Sequence, residues 1–157
     1  MSRIFHEAIG QIDDGLYTPE QKSAWSPKPR SAYHWHKRLT RSRAWLVVDE
    51  AIIEASRPIC CGFINVETHF KSRGYIDSLY VRPDYQHLGI AHRLYLALEQ
   101  WSLGQEYPNL TVDASLLSKH LFLTHGFTVQ HRSYQEKSGQ VFMGFLMSKT
   151  LKGLTTS

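Results

Sequence analysis

Cysteine is scarce in this sequence. Only two cysteines occur, Cys60 and Cys61, and they are adjacent. Neighbouring cysteines seldom form a disulfide, because the ring that they would close is strained. Residues 59–64 have the composition of a buried strand, in which cysteine behaves as a small hydrophobe. The sequence therefore argues against a disulfide framework and indicates two reduced thiols in a reducing compartment.

Long apolar runs are also absent. No stretch approaches the roughly 20 apolar residues that a membrane-spanning helix needs, and the N-terminus does not resemble a secretory signal. Hydrophobic residues make up 42% of the chain and charged residues 20%, which is typical of a soluble globular protein. A length of 157 residues suits one domain with a sizeable core. We expect a single domain over residues 1–157, located in the cytoplasm, with no membrane partner.

The charge balance is only mildly basic. Lysine and arginine number 18 against 14 acidic residues, a formal net charge of +4, which favours an anionic ligand and is too diffuse to indicate nucleic acid. One segment is richer in cations, with Tyr33 and Trp35 interleaved. It permits a nucleic-acid patch, an entrance for an acidic substrate or, most commonly, a solvated helix face over a buried Trp35. Its cations are Lys28, Arg30, Lys37, Arg38, Arg41 and Arg43. We predict no nucleic-acid partner.

Metal-ligand spacing is missing, although the chain has nine histidines. His34 and His36 are two residues apart on a predicted helix, so they point to different faces. His120 and His125 are five apart, which is equally unsuitable. Without an H-x-x-x-H motif or a Cys/His cluster, we predict no metal site.

Periodic apolar residues predict the order of the elements. Thr18, Pro19 and Gln21 form a capping box that starts a short helix ending near Trp25. The rest of the pattern predicts helices over residues 3–13, 32–41, 89–103 and 116–125, and strands over residues 43–53, 59–68, 75–81, 110–114, 127–134 and 140–149. Helices first, then antiparallel strands, then a β-α-β-α-β-β run predict an α/β fold with a mixed sheet.

One strand-to-helix turn carries the strongest chemical signal. Strand 75–81 stops before Pro83, and the next helix begins after the segment 86–91, Gln-His-Leu-Gly-Ile-Ala. Gly89 and Ala91 add little side-chain bulk, so backbone N–H groups can face an anion. The two common phosphate motifs are excluded, because no lysine follows the glycine and only one glycine is present. Single glycines also occur in turns that bind nothing, so the spacing alone leaves both interpretations open.

The wider pattern resembles the GNAT superfamily of acyl-CoA-dependent N-acetyltransferases. Gln86-x-x-Gly89-x-Ala91, after a strand that ends Leu-Tyr-Val-Arg-Pro, resembles that family's pyrophosphate loop. Residues 110–115, Leu121-Phe122 and His125-Gly126-Phe127 resemble the strand, helix and Gly-Phe corner that follow it. Residues 17–21 with Ala24-Trp25 resemble the N-terminal region of a small bacterial subgroup. The similarity extends from about Ile9 to Lys149.

The resemblance implies a fold and an activity. The fold is a mixed, mainly antiparallel sheet flanked by helices, although the strand that usually opens such domains is missing from the predicted elements. An uncovered sheet edge favours pairing, so a homodimer is a hypothesis. The implied activity is direct transfer of acetyl from acetyl-CoA, as co-substrate, to the amine of a small molecule in a ternary complex. A CoA-binding module without catalysis, a protein or peptide amine acetyltransferase, and a basic nucleic-acid binder stay as alternatives.

Site residues follow from the same resemblance. The acyl-CoA site would comprise Leu79, Tyr80, Val81, Gln86, His87, Leu88, Gly89, Ile90, Ala91, His92, Ser115 and Phe122. Aromatic residues would line the acceptor pocket, namely Trp25, Tyr33 and Trp35. An alkyl amine must lose a proton at a cost of about 4–5 kcal/mol at pH 7, and the candidate bases are Asp77 and Glu67. Because strand alternation alone does not fix its register, Asp77 could face either the substrate or the core.

One position departs from the family pattern. Members often carry a tyrosine in the later helix as general acid to the departing CoA thiolate, and here Phe122 occupies that position. A phenyl ring cannot donate a proton, although a thiol of pKa about 8.5 leaves tolerably without help. Tyr134, Tyr80 or His120 could substitute, and nothing in the sequence selects among them. Ser115 could still hydrogen-bond the pantetheine arm.

Overall fold

The computed structural model describes residues 6, 8–11, 15–26, 28–29, 31–54 and 57–151. The helix predicted over residues 3–13 lies partly outside this set, and within it residues 8–10 are helical. The helices are α1 (Pro19–Trp25), α2 (Ala32–Leu39), α3 (Ile90–Gly104) and α4 (Lys119–Thr124), with a 3-10 turn at Pro83–Tyr85. The strands are β1 (Ser42–Glu54), β2 (Arg57–Glu67), β3 (Tyr75–Val81), β4 (Asn109–Ala114), β5 (Thr128–Lys137) and β6 (Gln140–Thr150).

The six strands form one sheet in the order β1-β2-β3-β4-β6-β5. Only β3 and β4 pair in parallel, and every other neighbouring pair is antiparallel. The predicted α/β fold with a mixed, mainly antiparallel sheet is therefore confirmed. Among the described residues, no strand pairs with the outer edge of β1. No helix in this part of the chain is both long and apolar enough to span a bilayer.

Local signals fix the helix starts. The Thr18 hydroxyl accepts a hydrogen bond from the Gln21 N–H at 3.1 Å, and the Gln21 side chain accepts one from the Thr18 N–H at 3.0 Å. This confirms the predicted capping box at α1. Helix α4 begins at Lys119, later than predicted, because Ser115 and Ser118 exchange backbone and hydroxyl hydrogen bonds in the preceding turn.

The sheet separates two apolar clusters. One cluster packs α3 and α4 against Ile64, Val66 and their neighbours, with Tyr95 and Phe122 at its centre. The other lies on the opposite face around Phe63 and includes Trp35 and Phe142. Phe63 and Ile64 alternate between the faces, as successive strand residues must. Helices α1 and α2 cover the second face.

Candidate active site

Strands β3 and β4 separate after two paired positions. Tyr75 pairs with Thr111 and Ile76 with Val112, and the ladder stops there. The diverging strand ends enclose a narrow cavity of about 130 Å³, here called the interstrand slot. Six residues predicted for the acyl-CoA site line it: Leu79, Tyr80, Val81, Gln86, Ser115 and Phe122. Because β4 does not pair with this part of β3, backbone groups on that edge are available to an extended ligand.

The predicted pyrophosphate loop lies at the end of β3. His87 and Gly89 have positive φ angles of 65° and 77°, and α3 begins immediately after Gly89 with no side chain capping it. The first N–H groups of the helix therefore have no intrahelical acceptor. A Cβ built on Gly89 would meet no atom within 4 Å, so the space over the loop is open. The loop thus has the geometry of an anion site.

A wider cavity of about 400 Å³ lies on the face that α1 and α2 cover. We call it the aromatic cleft, because its walls include Tyr17, Trp25, Tyr75, Tyr80 and Phe142. Arg38, His34 and Lys137 supply cationic or titratable groups to its lining. Five residues line both this cleft and the interstrand slot, and so mark the junction of the two: Trp25, Asp77, Tyr80, Asp113 and Ser115.

Asp77 reaches the junction because β3 carries a bulge. Val66 pairs with Ile76 and Asn65 pairs with Ser78, which leaves Asp77 as the extra residue. A bulge of this kind redirects a side chain, and this resolves the register that the sequence left open. The Asp77 carboxylate is ion-paired with Arg38 and lies 3.4 Å from the Asn65 side-chain nitrogen.

Asp113 is a second carboxylate at the junction, and sequence reasoning missed it. Its Oδ2 accepts a hydrogen bond from the Tyr75 hydroxyl at 3.0 Å. Burial, and then the negative charge of Asp113, raise the pKa of Tyr75 well above its usual value. The available signal was alternation in β4, where Leu110, Val112 and Ala114 are buried and Asp113 belongs to the other face.

Tyr17 lines the aromatic cleft beside the junction, and sequence reasoning did not select it. Its side chain is 3% exposed, and its ring packs edge-on against Trp25 with centroids 5.3 Å apart. The hydroxyl oxygen accepts a hydrogen bond from the Leu116 N–H at 2.9 Å. Burial raises the pKa of Tyr17, while the hydrogen bonds from Leu116 and Ser115 act in the opposite direction. No local signal reports this contact, because its partners are 99 residues apart.

The remaining predicted residues do not line either cavity. Glu67 lies at the end of β2. Tyr134 is 64% exposed. Its neighbours Ser133 and Gln135 line the aromatic cleft, so Tyr134 points to the opposite face of the strand. Tyr33 is 72% exposed on α2. Trp35 is buried against Phe63 with ring centroids 5.4 Å apart, so it belongs to the core rather than to a pocket wall. Of the three predicted aromatic residues, Trp25 alone lines the cleft.

Comparison with known proteins places the chain among acetyltransferases. Residues 15–151 match the family described as acetyltransferase (GNAT) domain. The chain is 34% identical over 144 residues to the uncharacterized N-acetyltransferase YafP of Escherichia coli (strain K12), covering 92% of this chain and 83% of that protein. A GCN5-related N-acetyltransferase structure from Rhodopseudomonas palustris superposes with a TM-score of 0.82 at 25% identity, covering 96% of this chain and 87% of that one. The PaiA N-acetyltransferase of Thermoplasma acidophilum, solved with coenzyme A, superposes with a TM-score of 0.66 at 17% identity, covering 95% and 89%.

Proposed function

Because the chain belongs to the GNAT acetyltransferase family, we propose that it transfers the acetyl group of acetyl-CoA directly to the amine of a small molecule bound in the aromatic cleft. Family membership makes the protein an acyltransferase with acetyl-CoA as its co-substrate. The observation that carries the proposal is the separation of β3 from β4, which opens toward the loop on one side and toward the aromatic cleft on the other. Donor and acceptor would meet at the junction.

Acetyl-CoA would occupy the loop and the interstrand slot. The N–H groups of residues 87–92 would face the diphosphate, since they belong to the loop and to the uncapped first turn of α3, with open space over Gly89. The pantetheine arm would pass between Val81 and Ser115, and the backbone N–H groups around Tyr80 and Val81 would polarise the thioester carbonyl. Donors fixed by the fold in this way stabilise the oxyanion that forms during attack.

The acceptor amine would approach from the aromatic cleft. Two carboxylates meet there, but the charge of Asp77 is compensated by Arg38. Asp113 receives its hydrogen bond from the neutral hydroxyl of Tyr75, so its negative charge is retained at the junction. We therefore propose Asp113 as the group that binds the ammonium and accepts its proton, with Asp77 holding Arg38 and the bulge in place. Lys137 already lies over the rings of Trp25 and Phe142, so the carboxylate of Asp113, rather than the aromatic walls, would attract a cationic amine.

The reaction balances without any further reagent. The neutral amine nitrogen attacks the thioester carbonyl carbon, a C–N bond forms, and the C–S bond breaks. The products are an acetamide and the free thiol of CoA. Asp113 takes the proton that the ammonium loses before attack and passes it to solvent, and it then takes the proton that the nitrogen loses after attack. The departing thiolate gains one proton at the junction, so acetylation of an ammonium releases one proton overall.

The experiment is thiol release from acetyl-CoA across a panel of amines. Small cationic amines, with and without aromatic groups, are compared with peptides that have free N-termini, and the released thiol is measured by its colour reaction. Turnover with a small amine supports the proposal, and turnover with peptides alone favours the peptide acetyltransferase. Tight CoA binding with no turnover favours a binding module without catalysis.

The cytoplasmic location and the homodimer stay predictions. Light scattering after size-exclusion chromatography checks the homodimer.

A further inference from the structure

The departing thiolate of CoA needs a proton donor at the junction. Phe122 lines the interstrand slot with a hydrocarbon ring only, so it cannot supply one. Several hydroxyl groups lie close enough to the junction to be compared. The Tyr75 hydroxyl already donates to Asp113, and the hydroxyls of Ser115 and Ser118 are hydrogen-bonded to each other.

The Tyr17 hydroxyl has a different arrangement. Its oxygen accepts the N–H of Leu116, and Leu116 first and Ser115 second oppose the pKa increase that burial of Tyr17 causes. An oxygen that accepts a hydrogen bond leaves its own proton free to be donated, and the same bond stabilises the tyrosinate that donation produces. Ser115 borders both cavities, so this oxygen lies beside the junction.

The packing around Tyr17 fixes the direction of its ring. Trp25 lies edge-on at 5.3 Å and Phe142 lies at 6.0 Å between centroids. Trp25 itself lines both cavities. The ring is therefore held between the wall of the aromatic cleft and the turn that precedes α4, with little freedom to leave.

We infer that Tyr17, from the segment before α1, donates the proton to the CoA thiolate in place of a residue on α4. The O–H bond of Tyr17 breaks as the S–H bond of CoA forms, and the tyrosinate is held by the Leu116 N–H. The proton that Asp113 has taken from the amine then restores Tyr17 through solvent. This assignment depends on the proposed function, since it names a residue for the same reaction.

The test compares four forms of the enzyme with an amine that the wild type acetylates. Tyr17→Phe keeps the ring and removes the hydroxyl, and general acid catalysis contributes about 10²–10⁴-fold, so we expect kcat to fall by at least about 100-fold. The dissociation constant for CoA, measured by calorimetry, should stay within about threefold of the wild-type value.

Phe122→Tyr added to Tyr17→Phe supplies a hydroxyl to the slot from α4, and we expect it to restore kcat at least about tenfold. Tyr107→Phe, which removes the hydroxyl from a ring packed edge-on against Trp101, is the matched control and should leave kcat unchanged.

Each outcome bears on the assignment. A Tyr17→Phe enzyme with wild-type kcat overturns it, as does a loss expressed only in KM or in CoA affinity. A loss of kcat in Tyr80→Phe rather than in Tyr17→Phe overturns the assignment and gives the role to Tyr80.

If Tyr17→Phe fails to fold, 2,3-difluorotyrosine at position 17 keeps the ring and its hydrogen bonds but loses its proton at lower pH. Activity should then fall at alkaline pH where the wild type stays active, and an unchanged profile overturns the inference. A wild type that releases no thiol with any amine overturns the proposed function together with this inference, whereas the other outcomes leave the proposed function intact.

Discussion

The hydroxyl of Tyr75 donates a hydrogen bond to the carboxylate of Asp113 across the point where β3 and β4 part, with 3.0 Å between the two oxygens. Tyr75 is the first residue of β3 and belongs to its two-residue ladder with β4, and Asp113 lies just beyond the end of that ladder on β4. The contact therefore fixes a carboxylate at the junction of the interstrand slot and the aromatic cleft.

Asp113→Asn removes the proposed proton acceptor while keeping a hydrogen-bond acceptor for Tyr75. We expect kcat/KM for the amine to fall by about 100-fold or more, because positioned acid–base groups contribute on that scale. CoA affinity should be unchanged. Steady-state thiol release and calorimetry with CoA provide the two measurements.

The protein contains a matched control for this substitution. Asp49 accepts a hydrogen bond from the Tyr85 hydroxyl at 2.7 Å, and neither residue lines the two cavities. Asp49→Asn thus changes an equivalent Asp–Tyr pair away from the junction. Equal losses of activity in the Asp49 and Asp113 variants would contradict the role given to Asp113.

Gly89→Glu should abolish CoA binding. The side chain would enter the open space over the loop and put a negative charge where the diphosphate must lie. Calorimetry with CoA is the measurement. Gly139→Glu is the control. Gly139 also has a positive φ angle, 79°, and a Cβ added to it would meet nothing within 4 Å. It lies in the turn between β5 and β6, away from the loop. Retained CoA affinity in the Gly89 variant would show that the loop is assigned wrongly.

Arg38→Met should lower the free energy of unfolding by about 1–3 kcal/mol, because it leaves the Asp77 carboxylate at the bulge without its cation. Adding Asp77→Asn should recover part of the loss, as expected for two groups that interact directly. Urea denaturation measures both. Arg41→Met, at an exposed position on the same segment, should change stability by no more than about 0.5 kcal/mol. Strictly additive effects of the Arg38 and Asp77 substitutions would show that the ion pair contributes nothing.

Stability should decrease as the pH falls below about 6.5, the ordinary pKa of histidine. Burial first, and the neighbouring His92 ring second, lower the pKa of His125 in the folded protein; the two rings are 2.8 Å apart between Nδ1 of His92 and Nε2 of His125. Between this lowered pKa and the ordinary one the unfolded chain binds more protons than the folded protein, so stability rises with pH across that interval. Melting temperatures measured from pH 5 to 8 report the slope.

His125→Gln should flatten this pH dependence, whereas His69→Gln, at an exposed position after β2, should not. A His125→Gln protein whose melting temperature keeps the wild-type slope would remove His125 as the cause. The substitution also removes the contact with the Tyr95 ring, 4.4 Å between centroids, so the slope rather than the absolute stability decides.

What the sequence could predict was local. The capping box of Thr18 and Gln21 and the loop after Val81 depend on residues a few positions apart, so the sequence alone indicates their chemistry. The order of helices and strands along the chain was also predictable, because periodicity and the family resemblance agreed. These features explain why the fold class was anticipated, and the resemblance alone supplied the acyl-CoA residues that line the interstrand slot.

The chemistry at the junction was not predictable in the same way. Asp77 faces the clefts because of a single extra residue in β3, Asp113 does so because two strands diverge, and Tyr17 arrives there through a contact with Leu116 across the chain. Trp35 had two predicted roles, a buried residue under a solvated helix face and a wall of the acceptor pocket, and the structure confirms the first, because its ring belongs to the core. Such outcomes depend on tertiary packing, which local patterns do not encode.

A crystal structure of the protein with acetyl-CoA tests the central claim most directly. We predict the diphosphate on the N–H groups of residues 87–92, the pantetheine arm between β3 and β4, and the acetyl group at the junction near Asp113 and Tyr17. A structure in which the nucleotide binds elsewhere and the space between the two strands is filled by side chains would contradict it.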